Sequence, residues 1–255
     1  DTSANIRANT DSGSITDVEG IAVEVTTTSN ATEFDAILTA ATANNANGTV
    51  AGAVADAGSA LTGVTFPNAT SITATISAAT DLTTVTLDGD VTHIDLNNVA
   101  DVLLDINDLT GRTITVNGGT YKVKDTASEL AGADASLLSG QTIVINDANT
   151  AATTTELNTI QTSMASNGGN GTVTYTKLTG SATSLAANTA DIVANVAVTI
   201  DETGDNVAAT VAELNDIQTA VAGAAGASLT YTKLRDTSAN IRANVDNNGA
   251  ITDIS

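Results

Sequence analysis

The nonapeptide "DTSANIRAN" stands at Asp1 and again, letter for letter, at Asp236. A repeat of this kind restricts the chain to folds in which one structural solution recurs, because identical segments demand equivalent surroundings. The correspondence continues beyond the nonapeptide: "DSGSITDV" follows the first copy and "DNNGAITDI" the second, with one insertion. The long period is therefore the shift that carries Asp1 onto Asp236.

A shorter period lies inside it. An Asp followed five residues later by Ile or Leu occurs at Asp1 and Ile6, Asp56 and Leu61, Asp125 and Leu130, and Asp236 and Ile241, with Gly180 and Leu185 in the remaining slot. The steps from Asp1 to Asp56, Asp125 to Gly180 and Gly180 to Asp236 are nearly equal, the step from Asp56 to Asp125 is longer, and the four together make the long period. A second marker keeps the same phase: "TEFDAIL" at 32, "ADVLLDI" at 100, "TELNTIQT" at 155 and "AELNDIQT" at 212. The chain reads as one elongated array over 1–255, with units 1–55, 56–124, 125–179 and 180–235, and 236–255 opening the next long repeat. The second unit carries roughly 13 extra residues between Leu61 and Asn98.

Within a unit, "TVTYTKL" and "NVAVTI" alternate and are rich in β-branched residues, so both predict strands. After Asn206, Val211, Leu214, Ile217 and Val221 form an apolar stripe at helical spacing. The expected unit is strand, short helix, strand, longer helix. Capping boxes are expected at Asn30 and Glu33, Asn98 and Asp101, Thr153 and Glu156, and Thr210 and Glu213. Asp1, Asp56, Asp125 and Asp236 are expected to cap the short helices. Turns of about 27 residues suit an α/β solenoid with a parallel sheet, continuous through right-handed crossovers, and a β-rich insertion near 62–97. In the second unit, "RTITVNGGTYKVKD" predicts an antiparallel hairpin around Asn117 and Gly118, which keeps an all-β solenoid open as the alternative.

Composition excludes more than it identifies. With 2% aromatic residues, the core is expected to be Ala, Val, Ile and Leu, and without cysteine there are neither disulfides nor thiolate metal sites. Acidic residues number 29 against 8 basic ones, a net charge of −21 that argues against nucleic acid and anionic membranes as partners. No run of 18 apolar residues could span a bilayer, so a soluble chain without membrane insertion is expected. The first residue has no leader before it; any secretion signal is expected outside this segment or removed.

Candidate chemistry is sparse. His93 is the only histidine and reads as a strand residue. The acidic residues of the second marker read as helix caps, since four copies at even pitch are what repetition produces. Turns rich in Asp, Asn and Gly, at Asp88, Asp105, Asp201 and Asp246, suggest calcium, with Asp201, Asp205, Asp246 and Asn248 as candidate ligands. No full EF-hand loop is present. The basic residues gather beside tyrosines: Tyr121, Lys122 and Lys124; Tyr175 and Lys177; Tyr231, Lys233 and Arg235; with Arg7 and Arg242 in the nonapeptides. These are the candidate interface between neighbouring repeats or subunits, as a ladder along one edge or face. Thr-x-Thr recurs at 73, 84, 113, 174 and 230, as an ice-binding face would require, but Lys and Tyr interrupt the rows, which favours ordinary exposed strands.

The phrases "DTSANI", "DTASEL" and "ELNDIQTAV" followed by "LTYTKLRDTSANI", in a Cys-free chain rich in Ala, Thr, Asp and Asn, resemble the repeats of giant secreted bacterial surface proteins, notably those of marine cyanobacteria. The resemblance implies a very long extracellular or cell-surface protein, part of a surface layer, fibre or adhesin, and supplies no catalytic residues. The expected function is structural and non-enzymatic, by self-assembly into a filament or layer with itself as partner; the alternative is an adhesin stalk binding ice, glycan or another cell.

Overall fold

The computed structural model describes residues 2, 4–6, 19–43, 47–61, 65–76, 78, 81–84, 87, 89–203 and 208–246. It divides into two compact units, residues 1–122 and 123–255. Both mix helices with parallel strands.

The first unit runs β1 (Ala22–Glu24), α1 (Ala31–Ala41), β2 (Thr49–Ala57), α2 (Gly58–Leu61), β3 (Ala69–Thr75), β4 (His93–Asp95), β5 (Val102–Leu104), α3 (Ile106–Leu109) and β6 (Thr113–Thr115). Its main sheet has the order β1-β2-β3-β4-β6, all parallel. β7 (Tyr121–Asp125) crosses the boundary, and the second unit continues with α4 (Ala127–Gly132), α5 (Ala135–Leu138), β8 (Thr142–Ile145), β9 (Ala152–Thr153), α6 (Thr154–Ala165), β10 (Thr172–Thr174), β11 (Lys177–Gly180), α7 (Ala182–Ala187), β12 (Ala197–Ile200), α8 (Val211–Gly223), β13 (Ser228–Thr230) and α9 (Ser238–Asp246). Here β8 lies between β7 and β10, and a further sheet has the order β13-β12-β11-β9, again parallel.

Apolar spacing produces these elements. α6 buries Leu157, Ile160 and Met164, and α8 buries Val211, Leu214 and Ile217, each a one-sided stripe at helical period. β12 alternates, with Val198 and Ile200 inside and Ala197 and Thr199 outside. Each fully buried Leu or Ile contributes about 1.5 to 3 kcal/mol. Four of the recurring Ile or Leu residues of the short period are core residues, Ile6, Leu61, Leu130 and Leu185 being buried, while Ile241 is half-buried. The core is not wholly aliphatic, since Phe34 of α1 meets Phe66 edge to face at 5.6 Å between ring centroids.

Mixed α/β architecture with parallel sheets agrees with the expected class, and the helices remove the all-β alternative. Four local expectations are corrected. Among the described residues, the strands form three sheets, not one continuous sheet. The predicted strand "TVTYTKL" is two strands, β10 and β11, in different sheets, because the chain turns at Tyr175 and Thr176. The Asn117–Gly118 turn has the left-handed backbone that a hairpin needs, with φ of 40° and 84°, but its flanking strands do not pair with each other. Instead β6 pairs in parallel with β4, and β7 with β8. Finally, Asn98 and Asp101 open no helix. Both have positive φ, and Val102 and Leu104 beyond them are fully buried strand residues; the helix starts later, capped by Asp105 in a box with Asp108. Alternating burial outweighed the cap signal.

Candidate assembly site

The recurring polar residues act between consecutive turns of the chain. Asp147, buried just after β8, accepts hydrogen bonds from the backbone of Thr176 and Lys177 (2.7 Å for Lys177) and from the Thr176 hydroxyl (2.8 Å). Lys177 Nζ returns to the Ala148 carbonyl at 2.7 Å. The same grip recurs one unit later: Glu202 accepts from the backbone N–H of Thr232 (2.9 Å) and Lys233 (2.7 Å) and from the Thr232 hydroxyl, while Lys233 Nζ reaches the Glu202 carbonyl at 3.0 Å. Asp147 holds the corner at which the chain passes from β10 to β11 of the next sheet, and Glu202 holds the equivalent corner after β13. Partial burial works against ionisation of Glu202, but the bonds from Thr232 and Lys233 outweigh it and lower its pKa.

A second grip belongs to the Asp of the repeat marker. Asp236 accepts from Thr237 N (2.7 Å), from Asn240 Nδ2 (2.7 Å) and from Val211 N (3.0 Å), the first N–H of α8, 25 residues earlier. Asp56 repeats this with Ala57 N (2.7 Å) and with Ala31 N (3.1 Å), the first N–H of α1. Their role thus differs from the expected capping of short helices. The caps are the next residues, Thr126 of α4 and Ser181 of α7, while Thr237 Oγ1 accepts from Asn240 N at the start of α9. The Asp satisfies an orphan donor at the start of the preceding long helix. Asp1 lies outside the described residues. Where the marker has Gly180, the neighbouring helix begins with Thr154, whose side chain stands 3.0 Å from where a Cβ on Gly180 would be. The Thr154 hydroxyl instead meets Ser184 at 2.5 Å.

The long helices supply the third set. Thr153 and Thr210 form full capping boxes with Glu156 and Glu213, and Asn30 accepts from Glu33 N, as the spacing predicted. Glu213 also accepts from Thr183 Oγ1 at 2.6 Å, 30 residues away. Partial burial opposes ionisation of Glu213, yet the bonds from Thr183 and Thr210 prevail and its pKa is lowered. Gln161 donates to buried Asp191 at 2.9 Å, and the Tyr175 hydroxyl donates to the Asp191 carbonyl.

The candidate interface residues therefore have varied roles. Tyr175 is buried and Lys177 and Lys233 are tied to backbone carbonyls, so these three belong to corners within the fold. Lys122 pairs with Asp101 at 2.9 Å. Tyr121, Lys124 and Tyr231 are half-buried, Arg235 is exposed, and Arg242 is exposed on α9. Arg7 lies outside the described residues. Of the calcium candidates, exposed Asp201 accepts from Thr203 N at 3.0 Å, which lowers its pKa. Asp205, Asn248 and the side chain of Asp246 lie outside the described residues. Asp105 is a helix cap, and Asp88 is likewise not described. Among the described residues, no group of three or more His, Asp or Glu side chains is placed to hold a metal ion. His93 sits in β4 with Nδ1 2.8 Å from Thr92 Oγ1. A groove of about 630 Å³ beside β1 and β2 contains one titratable side chain, Glu24.

Three functional features escaped the sequence reading: Asp147, Glu202 and Arg112. The first two had a usable signal, since "IND" at 145–147 and "IDE" at 200–202 place an acid two residues after a buried Ile at the same point of consecutive units. Arg112 had none; its guanidinium joins the carbonyls of Val91 (3.1 Å) and Asn107 (2.9 Å) and the Asp108 carboxylate (3.4 Å), contacts that only the fold creates.

The Thr-x-Thr segments divide between the two units. In the first, the register interrupts Thr73 and Thr113 with His93, and Thr75 and Thr115 with Asp95. In the second, the segment at 174 starts on β10, opposite Val144, whereas Thr230 of the last segment stands beside Thr199, Thr179 and Thr153, which lie outside these segments, in a row across four strands. No helix among the described residues is long and apolar enough to cross a membrane. No family model, curated protein or solved structure matches the chain.

Proposed function

We propose that this chain is a structural, non-enzymatic segment of an extracellular repeat protein, resembling those of bacterial cell surfaces, that self-assembles into a filament, fibre or surface layer. The observation that carries this reading is the use of the recurring carboxylates: Asp147, Glu202, Asp56, Asp236 and Glu213 each accept hydrogen bonds from a turn 25 to 31 residues away in sequence. Residues that repeat in order to join turn to turn are those of a solenoid, in which each turn completes the next. The groove with its single titratable group and the helix-capping role of the repeated acids support a non-catalytic reading. The acidic exterior favours solubility, with cation-bridged or lysine-mediated contacts between assembled copies.

The test is electron microscopy of the purified 255-residue chain with and without calcium. Fibres or layers are the expected outcome, and monomers under both conditions would overturn the assembly. The four-threonine row supports a second reading, an adhesin stalk binding ice or glycan. That reading expects an unassembled chain that shapes growing ice crystals or binds immobilised glycans, and loses both on Thr199→Lys.

A further inference from the structure

The strand β1 has a close counterpart in β12. "IAVEV" at 21–25 matches "VAVTI" at 196–200, the first 20 residues beyond the marker at Asp1 and the second 16 beyond the marker at Gly180. The hydrogen bonding is also equivalent. Thr49 N donates to the Ile21 carbonyl at 3.1 Å where β2 joins β1, and Ser228 N donates to the Val196 carbonyl at 3.0 Å where β13 joins β12. Yet β12 has neighbours on both edges, β11 and β13, whereas among the described residues β1 pairs only with β2. The exposure follows: Val196 is fully buried, and its counterpart Ile21 is 47% exposed.

What covers β12 is "KLTG" at 177–180, with Lys177 opposite Ala197, Leu178 opposite Val198, Thr179 opposite Thr199 and Gly180 opposite Ile200. The counterpart of that segment, one unit later, is "KLRD" at 233–236. It is held as β11 is held: Leu234 bridges Ala209 as Leu178 pairs with Ala152, each immediately before a long helix. Its other edge has no strand beside it among the described residues.

We propose that Lys233–Asp236 of one copy pairs in parallel with Ala22–Val25 of a second copy of this sequence, the next repeat in tandem, in the register of β11 on β12. Lys233 then faces Ala22, Leu234 faces Val23, Arg235 faces Glu24, and Asp236 faces Val25. Two features favour this occupant. Arg235 opposite Glu24 places opposite charges at a cross-strand position that two threonines hold within the copy. The strand pairing also covers Ile21, as the preceding turn covers Val196. Because the Ile21 carbonyl and Val25 N both bond to β2, strand alternation turns the N–H groups of Ala22 and Thr26 to the opposite edge. By the pattern of Ala197 N on Thr176 O and Asp201 N on Gly180 O, Ala22 N bonds Thr232 O and Thr26 N bonds Asp236 O of the preceding copy. Since Asp236 is also the first residue of the next period, the nonapeptide is the joint between copies.

This inference rests on the repeat-array reading above, but its test does not require polymers. In a two-period chain, residues 1–235 followed by 1–255, with one period isotopically labelled at a time, amide hydrogen exchange is read by NMR. The amides of Ala22 and Thr26 in the second copy are expected to exchange at least about tenfold more slowly than in the first. Equal rates in the two copies overturn the proposal, whether or not the single-period chain forms fibres. Arg235→Glu in the first copy is expected to abolish most of that difference, and Glu24→Arg in the second copy to restore it. Exchange at Ser228, whose bond to Val196 stays within one copy, reports that the variants remain folded. An Arg235→Glu chain that stays folded and keeps the full difference overturns the proposed pairing.

Discussion

At the scale of single residues, short polar side chains here do work that disulfides or a large aromatic core perform elsewhere. Asp147 is buried because three donors converge on it, and a buried acceptor with its donors satisfied stabilises what an unpaired one would disrupt. Tyr175 offers a direct measurement. Burial, and after it the charge of Asp191, push its hydroxyl up to about 12 from an ordinary value of 10.0. A folded-state value above the unfolded one contributes stability that is fully present below pH 10.0 and is lost as the pH rises through about 12. Ultraviolet titration of the three tyrosines is therefore expected to leave one un-ionised until the chain unfolds, and Tyr175→Phe to remove that late step. The spacing alone places Tyr175 and Lys177 on an outer ladder. Nothing in a single sequence distinguishes a tyrosine facing solvent from one whose hydroxyl reaches a backbone carbonyl 16 residues away.

Among the elements, the long helices were the most legible, since cap, acidic residue and apolar stripe agree at Thr153 and at Thr210. Their first N–H groups reveal a coupling that the sequence hides. Asp56 and Asp236 reach back to Ala31 and Val211, whereas Gly180 leaves room for Thr154 at the equivalent point. Gly180 and Thr154 are thus alternatives to an Asp and a small apolar residue. Gly180→Asp alone is expected to cost about 1 to 3 kcal/mol through overpacking, and Thr154→Ala alone about 1 kcal/mol through its lost hydrogen bond. The double variant is expected to recover most of the loss, giving a coupling of at least about 1 kcal/mol in urea denaturation; additive losses would contradict the exchange.

For the whole molecule, the joints between turns make stability depend on ionised carboxylates. Glu202, Glu213 and Asp236 are held below their ordinary values of 4.5, 4.5 and 3.8, in Asp236 by bonds from Asn240, Thr237 and Val211. A depressed folded-state value contributes stability that is present above the unfolded value and lost as the pH falls through the folded one. Thermal melting followed by circular dichroism is expected to be nearly level from neutral pH to about 4.5 and to fall steeply below 3.8. A midpoint unchanged in that acid range would show that the carboxylate joints contribute little.

The sequence by itself determined the period, the mixed α/β class, the long-helix caps and the buried Ile6, Leu61, Leu130 and Leu185 of the markers, because these depend on spacing along the chain and on local backbone chemistry. Only the tertiary structure decided which strands share a sheet, that the Asn117–Gly118 turn joins strands of different sheets, and that the marker Asp serves a helix 25 residues behind it. Those choices depend on which turn lies beside which, and a parallel strand finds its partner across a crossover whose length conveys nothing of register.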